Sequence, residues 1–436
     1  MSIKPLRFSL PMIRKTAILS LSALLLIFWS IRASGLRGVN CISALYDKPA
    51  VCFGDMGFEL VFWGLVIVLI IWELIDAHQS RDYLASWRQV WLVIPFLILA
   101  VSSSIWSLDA AITLFKSLIL VAVSGAAVFL VFRSSLVKWI DMLAVFFAAI
   151  VTASLLLVFL VPSMGTMQIQ PYNGAWCGIF WHRNYLGSFM AIANTVFLIR
   201  LLSTRTKNLS GIVFNLLFFF ATLVLAVGSR SAGGIFTLAA LLMLTLVFFL
   251  WTKIQHKLKL IHYIILGSAA LLLLLLVLFN LDYIFGLLGR NTSLTGRVPL
   301  WNILFDQFIP RRFFLGHGYS AIWNFQEFRL QLQSQLGWRY PVLIGDNGLV
   351  DIFLHLGLVG TGLMVLLMLI TLVKSIKLAF TNKNLTGFFP LISMVFVVMS
   401  NISLSMLIEV EYLGWVLIIS ALYYSSTIQL KNQYKK

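Results

Sequence analysis

Asp346 and His317 are the residues of this chain best suited to act as a general base, and both lie in its one long polar stretch, residues 282–357. A base of this kind must come within hydrogen-bond reach of the proton it takes. Three arginines supply the complementary element. Arg230 sits in Gly228-Ser229-Arg230-Ser231-Ala232-Gly233-Gly234, where small neighbours let a large ligand approach the backbone. Arg183 stands where an apolar run begins, and a helix start favours an anion. Arg297 opens the second part of the polar stretch. Guanidinium groups capture phosphate or carboxylate with two parallel hydrogen bonds, so a lipid-linked pyrophosphate is one ligand that fits. Contact with anionic lipid headgroups is the alternative.

These residues must be positioned by helices in lipid. The chain has 436 residues, of which 61% are hydrophobic and 11% charged. A soluble domain of this length could not bury that much apolar surface. A hydrocarbon core of about 30 Å needs about 20 apolar residues per helix. Runs of that kind lie at about 16–34, 56–75, 89–106, 110–132, 137–161, 185–203, 210–227, 231–251, 261–281, 348–373, 386–408 and 412–429. They are continuous and lack period-two alternation, which predicts helices rather than barrel strands. The expected fold is an all-α polytopic membrane protein of about twelve transmembrane helices, one integral membrane domain over 1–436. A large periplasmic loop, 282–347, joins helices 9 and 10. The first run follows Arg14-Lys15 and is read as a retained helix rather than a cleaved signal.

The net charge of +17 does not point to nucleic acid. Lys and Arg cluster in alternate short connections, among them Arg133, Lys138, Arg200, Lys253, Lys374 and Lys377. This is the positive-inside pattern, and it puts both termini in the cytoplasm. The opposite connections carry Arg almost exclusively, including Arg183, Arg230, Arg297, Arg311 and Arg312. Cys41 and Cys52 fall in the first outer connection, where they either form a disulfide or stay free. The cysteine spacing suggests no metal site.

Within the loop, Trp301, Leu304, Phe305 and Phe308 have helical spacing, which predicts an amphipathic helix on the membrane surface. A second helix is expected over about 321–335. Such a lid could hold a carrier headgroup. Asp351 and His355 lie four residues apart on one face of the tenth helix, where they serve either the site or helix–helix hydrogen bonding.

The order of these motifs resembles the O-antigen ligases and related surface-polysaccharide polymerases of bacterial envelopes. Their pattern is a His followed by Asn, Ser or Gln, nine residues, Gly, two residues and a small residue or Tyr. Asp346-Asn347, then Gly348–Leu356, Gly357, Leu358-Val359 and Gly360 fit it, with Asp where the family has His. Leu294-Thr295-Gly296-Arg297 with Trp301, and Leu315-Gly316-His317-Gly318-Tyr319 with Trp323, are similar to the family's loop. Gly178–Asn184 and Ser229–Ala232 resemble two further stretches.

The resemblance implies a multi-pass protein of the bacterial inner membrane, active at its periplasmic face. It implies inverting transfer of glycan from an undecaprenyl-pyrophosphate carrier to a sugar hydroxyl, with no metal or cofactor. Arg230 and Arg297, with Arg183, would hold pyrophosphate. Asp346 would take the base position, or His317 would be the base with Asp346 positioning it. The acceptor would be a lipid-linked repeat unit, as in a polymerase, or lipid A core, as in a ligase. A chain-length regulator is a further partner the resemblance allows. The rival from another class is a lipid-linked oligosaccharide transporter or flippase, which would place polar groups near the bilayer midplane.

Overall fold

The computed structural model describes residues 62–68, 70–72, 74, 77–168, 172–203, 208–255, 297–338, 342–382, 384–402, 404–407 and 413–433. The runs expected at 16–34 and 261–281, Cys41, Cys52 and the start of the loop at 282–296 lie outside the described residues. Twelve helices carry labels here: α1 Ala77–Trp87, α2 Val93–Ser102, α3 Ala110–Arg133, α4 Leu136–Leu160, α5 Arg183–Leu202, α6 Leu209–Gly228, α7 Ala232–Ile254, α8 Arg297–Ile303, α9 Gln326–Leu336, α10 Gly348–Asn382, α11 Leu385–Ser400 and α12 Leu413–Gln433. Among the described residues the β pairing is limited to one isolated bridge, Thr166 with Trp176.

Six helices, α3 to α7 and α10, are long and apolar enough to cross a membrane, or seven spans if the α1–α2 pair is one. The protein is thus a helical multi-pass membrane protein. Two expected spans differ from the sequence pattern. The run at 89–106 is not one straight helix: α2, about 15 Å long, continues as a 3-10 turn over Ser103–Ile105 and meets the α1 arm across a 90° bend. The run at 386–408 stops being helical after Ser400.

Local caps start the long helices. Asp109 accepts from the Ile112 amide at 3.0 Å before α3, and Asn384 from the Gly387 amide at 2.7 Å before α11. Helix α5 is the hub, with every residue from Tyr185 to Ile199 buried. It packs against α4, α6, α7 and α11, while α10, α11 and α12 pack together and α12 packs on α3. Asn194 on α5 donates to Thr222 Oγ1 at 2.8 Å and Phe219 O at 2.9 Å, tying α5 to α6. In lipid such bonds and close packing hold helices together, because apolar burial gives little drive. The outer face of α6 leaves Val213, Leu217, Phe220, Val224 and Val227 exposed at helical spacing, as lipid contact requires.

The basic ends Arg133, Lys138, Arg200, Lys253, Lys374 and Lys377 fall at one end of this alternating bundle. The opposite end carries the helix starts at Arg183, Ala232 and Gly348. Helix α10 is not continuous. Gly357, with φ 63°, breaks it into Gly348–Leu356 and a long second segment. The amides freed by the break are satisfied from outside, since Leu358 N donates to Phe313 O at 2.8 Å and Val359 N to Phe314 O at 3.1 Å. A Cβ on Gly357 would overlap the backbone of Phe314 and Leu315. Gly357→Ala therefore combines left-handed strain with a backbone clash. The expected result is a loss of roughly 1–3 kcal/mol, seen as a lower melting temperature in detergent. An unchanged melting temperature would show that the break is not locked.

The loop segment packs part of its apolar stripe into a core of its own. Its first helical piece runs from α8 through Arg312, and the second expected helix is split into the turn Ile322–Asn324 and α9. Leu300, Leu304, Phe308, Trp323, Phe328 and Leu332 form a separate core with Val350 and Leu354 of α10. Of the stripe expected to face the membrane, Leu304 and Phe308 are buried in this core and Phe305 is exposed.

Candidate active site

Two parallel helix starts form the floor of the site. Near the starts of α5 and α7, Gly187 and Gly234 meet so closely that a Cβ on Gly234 would fall 2.7 Å from the Gly187 Cα. Ser231 caps α7 by accepting from the Gly234 amide at 3.2 Å and donates to Asn184 Oδ1 at 3.0 Å. Arg183 Nη1 donates to the Arg230 carbonyl, and its guanidinium lies over the Tyr172 ring, 4.2 Å from the centroid. Arg183 is buried, whereas Arg230 is exposed. Cations at helix N-termini oppose the helix dipole, so two arginines there leave a strongly anion-attracting surface.

Arg297 and Asp346, 49 positions apart in sequence, meet at this end. Arg297 Nε donates to Asp346 Oδ2 at 3.2 Å. Their side chains are 11% and 31% exposed, so the pair is shielded yet reachable. Burial pushes the Asp346 carboxyl above its ordinary value, while the neighbouring Arg297 pulls it down. Within this group, three guanidiniums against one carboxylate leave a net charge of +2.

The Asp346 loop is held on three sides. Trp301 Nε1 donates to Gly345 O at 2.8 Å. The Gly345 amide donates to Asp351 Oδ1 at 2.9 Å, and Trp323 Nε1 donates to the same oxygen at 2.8 Å. Ser405 Oγ donates to Asp351 Oδ2. Asp351 thus anchors the loop from behind. Asn347 caps α10, its Oδ1 accepting from Leu349 N at 3.0 Å and Val350 N at 3.2 Å. Three non-glycine residues have positive φ among the described residues, and two of them are Arg230, at 49°, and Asp346, at 51°. Strain of roughly 1–3 kcal/mol each persists where surrounding structure over-determines it, and functional sites are where it gathers.

The structure sets His317 with different partners. It is buried, its amide donates to Leu354 O at 2.9 Å, and its Nδ1 meets the same carbonyl at 3.0 Å. Its own carbonyl accepts from Leu108 N at 3.0 Å. Burial lowers its pKa, the Leu354 carbonyl opposes that, and Arg312 and Arg311 lower it further. Gly316 lies against the His355 backbone and Gly318 against Ser107. The Gly316–Tyr319 stretch is a strut between the α2–α3 turn and the break in α10. His355 is buried beneath it, its ring 6.0 Å from that of Tyr319. Gly360 lies one turn past the break, against Leu356.

One residue of the group has no role assigned from sequence. His182 immediately precedes α5, and its Nδ1 accepts from the Asn184 amide at 3.2 Å. Burial, then Arg183 and Arg297, push its pKa down to about 3. Its position one residue before a helix start, beside Arg183, was the available signal.

No curated protein matches the chain. A family model described as O-Antigen ligase matches residues 216–365. That segment holds Arg230, Arg297, Asp346 and the break at Gly357, and over it the chain is similar to the O-antigen ligase family.

Proposed function

We propose that this protein is an inverting glycosyltransferase at the periplasmic face of a bacterial inner membrane, with undecaprenyl-pyrophosphate-linked glycan as donor. The observation that carries this reading is the Arg297–Asp346 pair set beside two parallel helix starts bearing Arg183 and Arg230. An acceptor sugar hydroxyl attacks the anomeric carbon of the donor glycan. The bond from that carbon to the phosphate oxygen breaks, and its electron pair leaves on the pyrophosphate. The hydroxyl proton passes to Asp346. Arg230, Arg297 and Arg183 neutralise the departing pyrophosphate, a task that fixed cations perform without a metal.

Asp346 is the better-supported base, because it shares Arg297 with the anion site, while His317 is engaged with the Leu354 carbonyl. The acceptor on this reading is another lipid-linked repeat unit, so the enzyme polymerises surface polysaccharide. Transfer to lipid A core is a second reading, favoured by the description of the matching family. Purified protein in EDTA, given lipid-linked repeat units, tests both. Lengthened lipid-linked glycan supports polymerisation. Transfer only when lipid A core is added supports ligation. Transbilayer movement of the donor without transfer would replace both with transport.

The pH dependence has a defined sign. Asp346 acts only when ionised, so the rate falls as pH drops through its pKa, and burial sets that acid limb above the ordinary carboxylate range. Arg297→Gln removes the group that pulls the pKa down. Its acid limb in kcat/KM should move to higher pH, alongside a lower maximum. An unmoved limb would show that Asp346 is not the titrating base.

A further inference from the structure

We propose that His182 is a catalytic residue that donates a hydrogen bond from Nε2 to the pyrophosphate of the donor as it leaves. This rests on the glycosyl-transfer reading. The tautomer follows from geometry. Nδ1 accepts the Asn184 amide at 3.2 Å and so carries no proton, which places the proton on Nε2. The ring is fixed by its surroundings, edge-on to Tyr172 with centroids 6.0 Å apart and packed on Trp181 at 5.6 Å. Tyr172 also carries the Arg183 guanidinium, so His182 and Arg183 share one aromatic support. Arg183 and Arg297 both act on the imidazole electrostatically, so the ring lies within range of two of the cations assigned to pyrophosphate.

The neighbouring charges explain why an imidazole suits this place. A fourth cation would be repelled by Arg183 and Arg297, whereas a neutral ring adds a directed donor without adding charge. Burial, then Arg183 and Arg297, push its pKa down to about 3, which favours the neutral ring. In the neutral ring the Asn184 amide on Nδ1 leaves the proton on Nε2. A donor of this kind gains strength as charge builds on the leaving oxygen.

The test compares wild type with His182→Ser and His182→Asn, using undecaprenyl-pyrophosphate-linked repeat unit as substrate. Serine retains the cap but does not reach as far as an imidazole Nε2. Asparagine retains the cap and offers a shorter N–H donor. The expected result for His182→Ser is a melting temperature near wild type, kcat reduced about tenfold to a hundredfold, and an unchanged acid limb. His182→Asn should recover part of the loss. Wild-type kcat in His182→Ser would overturn the proposal. So would losses in both variants that only track a lower melting temperature, since His182 would then be a cap alone. Absence of transfer in wild type itself would instead reject the glycosyl-transfer reading.

Discussion

Asp346→Asn should slow glycan transfer by roughly 10²–10⁴-fold, the usual range for loss of a general base, while donor binding stays close to wild type. The substitution is nearly isosteric. The side-chain amide it introduces would keep an oxygen for Arg297 Nε, which lies 3.2 Å from the native carboxylate. The loop itself is held by Trp301 on the Gly345 carbonyl and by Asp351 on the Gly345 amide, and neither contact uses the Asp346 side chain. Asparagine also tolerates the positive φ of 51° better than most residues. What disappears is the acceptor for the hydroxyl proton. Single-turnover transfer, measured beside equilibrium binding of the donor, separates the two effects. A variant that binds and transfers like wild type would remove Asp346 from the chemistry.

Arg230→Gly should have an unusual pair of consequences. Transfer should fall by about 10²–10³-fold, as when one fixed donor to a developing charge is removed. Stability should not fall with it. The Arg230 side chain is exposed, and its structural bond to Arg183 is made by the backbone carbonyl, which glycine retains. At a φ of 49°, glycine also relieves conformational strain. A melting temperature equal to or above wild type, with weak donor binding, is the expected outcome. Lower stability with intact donor binding would mean that Arg230 serves the turn rather than an anion.

Parts of this arrangement could be read in the chain before any coordinates. The continuous apolar runs became α3 to α7, and Arg183 and Arg230 lie at helix starts as their neighbours implied. Spans that the tertiary structure interrupts were not legible. The run beyond Leu349 looks continuous because Gly357 is a single residue in an apolar stretch, yet the carbonyls of Phe313 and Phe314 take over its amides. The run at 89–106 is interrupted at its start, where the chain bends by 90° between Val90 and Val93. The lid helices showed their apolar spacing but not what would cover it, since the separate core draws Val350 and Leu354 from α10. The contact of Arg297 with Asp346 joins distant positions, and no local pattern reports it. His182 carried only its place beside Arg183 at a helix start as a signal, since a lone histidine has no spacing pattern to single it out.

The most direct measurement of the central claim follows release of undecaprenyl pyrophosphate together with formation of the new glycosidic bond, by purified wild type, Arg230→Gly and Asp346→Asn. Coupled release and bond formation are expected in wild type, weak donor binding in Arg230→Gly, and normal donor binding without appreciable turnover in Asp346→Asn. Turnover at the wild-type rate in either variant would contradict the assigned roles.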